Sequence, residues 1–119
     1  MTNSKIIYKY LGEIMDCIFC KIVKKELPAK LKFEDKDFLA FNDINPKAKI
    51  HILLITKKHF QSLDQAERND APLLGAMLLT ARKIAHENGL NQGYRLVINT
   101  GKGGGQEVDH LHLHIMGRK

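Results

Sequence analysis

The stretch "DHLHLHIMGRK", residues 109–119, decides how this chain is read. His110, His112 and His114 stand at every second position, with Leu111, Leu113 and Ile115 between and after them. On a helix the middle imidazole would face away from the other two. On a β-strand alternate side chains share a face, so three imidazoles line one surface while the three aliphatic residues enter a core on the other. Strict alternation of this kind is a strand signal. The segment is therefore expected to be a half-buried strand with a titratable face.

Working outward, "YRLVINT" (94–100) reads as a second strand, joined to "VDHLHLHIMG" (108–117) by the glycine-rich connection "GKGGGQE". Upstream lies "DAPLLGAMLLTARKIAHEN" (70–88), in which Leu73, Leu74, Met77, Leu78, Ala81, Ile84 and Ala85 make one apolar stripe at helical spacing. Asp70 is placed to cap that helix, Pro72 sits in its first turn and Gly89 ends it. "AKLKFED" and "DFLAFND" alternate as two strands around a tight connection at residues 34–37, and "IHILLITKKH" (50–59) reads as a buried strand. Residues 61–70 look polar and irregular. "DCIFCKIVKKE" has apolar residues near helical spacing, with Asp16 as its cap, and reads as a short helix ended before Pro28. Five strands, mostly antiparallel neighbours, with one long helix and a short N-terminal helix define an α+β domain.

A chain of 119 residues is long enough for one domain with a real core. Met15 offers an alternative start, so residues 1–14 are read as an N-terminal extension with little role in the fold and 15–119 as the domain. No apolar run approaches the roughly 20 residues that a membrane helix needs, and the start lacks a secretory signal pattern. The expected location is cytoplasmic. Nineteen Lys and Arg against 13 Asp and Glu give a net charge of +6, which favours anionic partners. The basic residues are scattered and not interleaved with aromatics, which argues against nucleic acid as the main partner.

The histidine face admits two chemistries. Alternate histidines on a strand can bind zinc with an open position for water. Alternatively one imidazole is a nucleophile or general base, and its neighbours orient it and carry charge. Spacing alone leaves both open. Gly101, Gly103, Gly104 and Gly105 lie just before the histidine strand; they make either a hairpin turn or a nest of N–H groups around a phosphate. Next to a histidine face in a cationic chain, the phosphate reading is preferred. "CIFC" (17–20) puts two thiols three residues apart, fit for half of a Cys2His2 zinc site or for two plain thiols. His51 begins a strand and is expected beside the triad, whereas His86 is expected in solvent.

"HLHLHIM" resembles the signature of the histidine triad family. From about Cys17 to Gly117 the chain is similar to that family's Hint branch, through "FLAFNDINP", "ITKKH" and "NTGKGGGQEVDH". The resemblance implies an α+β homodimer with sheets joined across the dimer, acting as a hydrolase on purine nucleoside phosphoramidates such as an adenylate joined to a lysine amine. It implies that His112 is the nucleophile, forming a nucleotidyl-histidine that water cleaves. It gives His110 the role of orienting His112 through its backbone carbonyl, and gives His114 and His51 phosphate binding or leaving-group assistance. Asp43 would hold the ribose. Phe19, Phe41, Ile44 and Leu53 would wall the base pocket, and Asn99, Gly105, Gln106 and Glu107 would lie along the phosphate and leaving group. The catalysis implied requires no metal.

The chain departs from the familiar pattern at Glu107, where animal relatives often carry Ser, and at Asp109, which replaces a usual aromatic. Both leave leaving-group specificity open. The cysteines resemble a metal-binding variant within the superfamily, which implies a structural zinc held by Cys17, Cys20, His59 and His110. Two other readings stand beside the phosphoramidase: a zinc hydrolase using the three triad histidines as ligands, and a nucleotide-binding regulator whose hydrolysis is incidental.

Overall fold

The computed structural model describes residues 17–119. The proposed extension at residues 1–14 and the proposed cap Asp16 lie outside the described residues. Five strands form one sheet in the order β1-β2-β3-β5-β4, and every neighbouring pair is antiparallel. They are β1 (Leu31–Glu34), β2 (Phe38–Asn42), β3 (Ile50–Thr56), β4 (Arg95–Val97) and β5 (His112–Gly117). A short helix α1 (Ile18–Val23) precedes them, and the long helix α2 (Ala71–Glu87) lies between β3 and β4. The α+β expectation is met in both element count and order.

Alternation along the strands sorts the sheet into two faces. Phe38 and Ala40 of β2, Ile52 and Leu54 of β3, and Leu113 and Ile115 of β5 join Leu111 and the buried side of α2 (Met77, Ala81, Ile84, Ala85) in the main core. The intervening residues Leu39, Phe41, Leu53 and Ile55 face the opposite way and pack with Cys17, Phe19 and Cys20 of the α1 region. Strand β3 is covered on both sides and is buried from His51 to Thr56, which is why "HILLIT" reads as a continuous apolar run. Each Leu or Ile fully withdrawn from water here contributes about 1.5–3 kcal/mol. A one-residue slip of β5 would bury imidazoles in the main core and expose Leu113 and Ile115, so its register is strongly fixed. In that register His112 sits opposite Ile55 and His114 opposite Leu53.

Several elements differ from the sequence reading, each for a local reason. β4 stops at Val97, where "YRLVINT" had been expected to run on to Thr100. Beyond it the Asn99 side-chain amide donates to the Gly104 carbonyl (2.8 Å), and the glycine segment winds into a 3-10 turn over Lys102–Gly104. β5 begins at His112, because the His110 N–H bonds to the Val108 carbonyl and the Leu111 N–H to the Phe60 carbonyl, tying this stretch to the loop after β3. The "irregular" 61–70 segment contains two 3-10 turns, Leu63–Gln65 and Arg68–Asp70, the first closed by a Ser62–Gln65 capping box. Asp70 precedes α2 but makes no side-chain cap; its carboxylate takes the Glu67 N–H and the Lys58 ammonium instead. Leu78, expected in the apolar stripe, is 50% exposed and faces away from the core. Gly89 does end the helix, at φ +85°.

Candidate active site

The histidines fall into two hydrogen-bonded groups that meet at His110. His112 places Nδ1 2.7 Å from the His110 carbonyl oxygen. A carbonyl only accepts, so Nδ1 carries the proton and Nε2 of neutral His112 is left bare. The ring is buried, edge-on to Phe19 (centroids 5.3 Å apart) and to His114 (5.0 Å). The same reasoning fixes His110. Its Nε2 lies 2.7 Å from the Thr56 carbonyl and donates to it, leaving Nδ1 unprotonated. Burial, with the nearby His59 and His112 rings, holds His110 down to about 4, against the Thr56 carbonyl that favours the charged form.

His51 and His114 form a directed chain. The Lys47 N–H donates to His51 Nδ1 (2.9 Å), so the proton of neutral His51 is on Nε2. That N–H lies 2.8 Å from His114 Nδ1 and 3.4 Å from an Asp43 carboxylate oxygen. His114 Nδ1 therefore accepts, and His114 presents Nε2–H as a donor. Burial pushes His114 down to about 4, helped by His112 and His51 and opposed by Asp43 and Glu107. His51 is also lowered, chiefly by burial. The face thus offers one bare nitrogen, on His112, next to one donating nitrogen, on His114. The His112 tautomer is set by the His110 carbonyl, and that of His114 by the His51 Nε2–H, itself fixed by the Lys47 N–H.

Phe19, Phe41 and Leu53 are buried together on this face, with Phe19 and Phe41 edge to face at 5.4 Å. They make an apolar floor next to His112. Ile44 does not join them; its side chain is 91% exposed at the rim, one residue beyond Asp43. The glycine loop is a braced turn. Buried Gln106 spends its side chain internally, accepting from the Gly101 N–H (2.8 Å) and donating to the carbonyls of Gln61 (2.7 Å) and Val108 (2.9 Å). The Gly104, Gly105 and Gln106 N–H groups also bond within the loop. The Gln106 side chain thus braces the loop that runs into the histidine strand. Asn99 is likewise tied to Gly104, and Glu107 is exposed. His86 is exposed as expected, with its ring near Tyr94.

The second group is Cys17, Cys20, His59 and His110. Cys17 Sγ lies 3.4 Å from His110 Nδ1, and Cys20 Sγ lies 3.2 Å from His59 Nδ1 and 3.6 Å from His110 Nδ1. The two Nδ1 atoms are 3.1 Å apart. Zinc bond lengths in a tetrahedral Cys2His2 site require donor–donor edges of roughly 3.3–3.8 Å. The observed separations lie close to those edges. Both thiols are free of disulfide. Burial and Cys17 push the Cys20 thiol up to about 12, against the nearby Lys24. His110 meets a further requirement of a ligand: its other ring nitrogen is held by a backbone carbonyl. The donor set fits a tetrahedral divalent metal such as zinc. Asp43, His51 and His114 also converge, but the short His51–His114 contact is already accounted for by a hydrogen bond.

The resemblance had implied the His110 carbonyl as the group that orients His112, but sequence reasoning missed two other backbone groups that select tautomers: the Thr56 carbonyl and the Lys47 N–H. No residue type advertises them. A hint was available for Gln106, an amide directly after three consecutive glycines that need bracing.

Fold and site together define a histidine triad domain, and comparison with known proteins agrees. The family profile described as "Scavenger mRNA decapping enzyme C-term binding" matches residues 16–119. Protein HitA of Neisseria gonorrhoeae is 56% identical over 102 residues, covering 86% of this chain and 95% of that protein. A HIT family hydrolase from Legionella pneumophila superposes with a TM-score of 0.84 at 49% identity, covering 87% of this chain and 93% of that one. A histidine triad protein from Clostridium difficile gives 0.84 at 47% identity, with coverage of 88% and 93%. The chain belongs to the histidine triad (HIT) family.

Proposed function

We propose that the protein hydrolyses the P–N bond of purine nucleoside 5′-phosphoramidates through a nucleotidyl-His112 intermediate. The observation that carries this reading is the 2.7 Å contact between His112 Nδ1 and the His110 carbonyl, which leaves Nε2 bare beside a donating His114. In the first step Nε2 forms a bond to phosphorus as the P–N bond breaks, and the amine departs with a proton drawn from solvent, which the water attacking in the second step gives back. The imidazole becomes cationic, and the His110 carbonyl, facing the retained Nδ1–H, stabilises that charge. His114 Nε2–H donates to a phosphoryl oxygen or the leaving nitrogen, and His51 holds it in that tautomer. Water then attacks phosphorus and releases the nucleoside monophosphate and the free imidazole.

Phe19, Phe41 and Leu53 would take one face of the base and Ile44 would close over it from the rim, which accounts for an aliphatic side chain left in solvent. Asp43 would hold the ribose hydroxyls. Glu107, at the edge of the site, favours a cationic leaving group such as a lysine amine. Cys17, Cys20, His59 and His110 would hold a structural zinc. Bound there, the metal supplies a cross-link between α1 and His110; no step of the reaction uses it. The alternative of a catalytic zinc on the three triad histidines is disfavoured, since His110 aims its one bare nitrogen at the cysteines.

A second copy of the chain would pair along β4, which has β5 on one side only, and cover Leu96 and Leu79. Among the described residues no helix is long and apolar enough to cross a membrane, and two free thiols suit the cytoplasm.

The test is hydrolysis of an adenosine 5′-phosphoramidate by purified protein and by His112→Gly. Release of AMP by the wild type, with loss of turnover in a variant of unchanged circular dichroism, is expected. A variant that keeps wild-type turnover refutes the assignment.

A further inference from the structure

The Cys17–Cys20–His59–His110 cluster and the apolar floor of the triad face are built from the same pieces of chain. Phe19 lies between the two cysteines on one helical turn, and its ring sits against Phe41, His110 and His112 at centroid distances of 5.4, 5.9 and 5.3 Å. His110 presents its ring to the thiols while its own carbonyl grips His112 Nδ1. α1 spans only six residues, closed at its start and end by local backbone bonds such as Lys21 to Cys17, Lys24 to Cys20, Lys25 to Ile22 and Glu26 to Lys21. A six-residue helix of this kind is marginal without tertiary anchors. Its anchors are the cluster and the apolar contacts of Phe19 and Cys20.

We infer that metal occupancy of this cluster sets the affinity of the triad pocket for a nucleotide, with Cys17 and Cys20 acting as positioning residues for Phe19 and His112. Filling the cluster fixes the α1 turn and the His110 ring at once. The base wall and the nucleophile are then held in their binding arrangement before the nucleotide arrives, and the ordering cost falls on the metal-binding step. Thermodynamic linkage makes the coupling reciprocal: a bound nucleotide must tighten the metal by the same factor. The inference rests on the nucleotide reading above, and it differs from a purely structural metal, which would raise stability and leave AMP affinity untouched.

The experiment uses the full chain with AMP as probe. Calorimetric titrations of AMP are run on protein stripped with a chelator and on protein carrying one equivalent of zinc. Cobalt(II) is then loaded in place of zinc and its visible ligand-field bands are recorded with and without saturating AMP. The expected result is a Kd for AMP lower by roughly fivefold or more with metal, and cobalt bands that shift on AMP binding. Phe19→Ala, which keeps all four ligands, should still bind cobalt but lose most of the difference in Kd. Equal Kd values with and without metal, together with cobalt bands indifferent to AMP, overturn the coupling while leaving the nucleotide reading intact. No AMP heat in either form sinks the nucleotide reading and this inference with it. Failure to bind cobalt or zinc overturns the inference alone.

Discussion

Acidification from pH 7 to pH 5 should weaken the fold, and His110 dominates the effect. The ring is fully buried and is held at about 4, whereas an unfolded chain returns it to about 6.5. Between those values the unfolded chain binds a proton that the folded one refuses, so the stability that His110 contributes is complete above about 6.5 and is lost as pH falls towards 4. A shift of this size is worth roughly 3 kcal/mol in full, of which about 2 kcal/mol is lost by pH 5. His114 shifts in the same direction and adds a smaller, solvent-screened part. Glu34 and Asp70 do not confuse this window. Glu34 is held low by its bonds to Lys25 and Lys57, and Asp70 by the Glu67 N–H and Lys58, so both stay ionised at pH 5. Urea unfolding in the presence of EDTA at pH 7, 6 and 5 measures the effect. A midpoint that falls steadily with pH, and a flatter profile in His110→Asn, are expected. Equal stability at pH 7 and pH 5 would show that His110 is not held neutral by burial.

Three further outcomes follow from the geometry. His51→Ala removes the donor that fixes the His114 tautomer; one lost hydrogen bond of about 1–1.5 kcal/mol corresponds to roughly a tenfold drop in kcat/KM, measured on an adenosine phosphoramidate, with the midpoint of thermal unfolding little changed. Gln106→Ala strands the Gly101 N–H and the carbonyls of Gln61 and Val108, and should cost about 1–3 kcal/mol in chemical unfolding; a neutral result would deny it the bracing role. Leu79→Lys combined with Leu96→Lys should convert a dimer to a monomer by light scattering, and a wild type that is already monomeric would refute the β4 pairing.

The periodicity of residues 110–115 made β5 legible, because a strand with one wet and one dry face must alternate. β3 was legible from the opposite pattern, an unbroken apolar run that reflects cover on both sides. Helix α2 was legible from its stripe, but Leu78 was misassigned: at the edge of a helical face, spacing does not tell core from open surface. Where β4 ends and β5 begins was not legible, since both are set by bonds to Gly104, Val108 and Phe60 that depend on the tertiary fold. The site was legible in its residue types and illegible in its protons. Three histidines on one face announce chemistry, and the resemblance implied the His110 carbonyl behind His112, yet the protons of His110 and His51 depend on the Thr56 carbonyl and the Lys47 N–H, which no residue type announces. The internal bracing of the glycine run was illegible for a related reason, as the N–H groups of Gly101, Gly104 and Gly105 find partners on Gln106 and within their own loop.

One measurement bears most directly on the covalent intermediate. Wild-type protein is mixed with an adenosine phosphoramidate, quenched within the first turnover and examined by mass spectrometry of the intact chain and of its peptides. The account predicts a transient gain of one adenylyl group on the peptide containing His112, absent when His112 is replaced by Ala. Steady AMP release with no adduct at any time, or an adduct that persists in that variant, would contradict it.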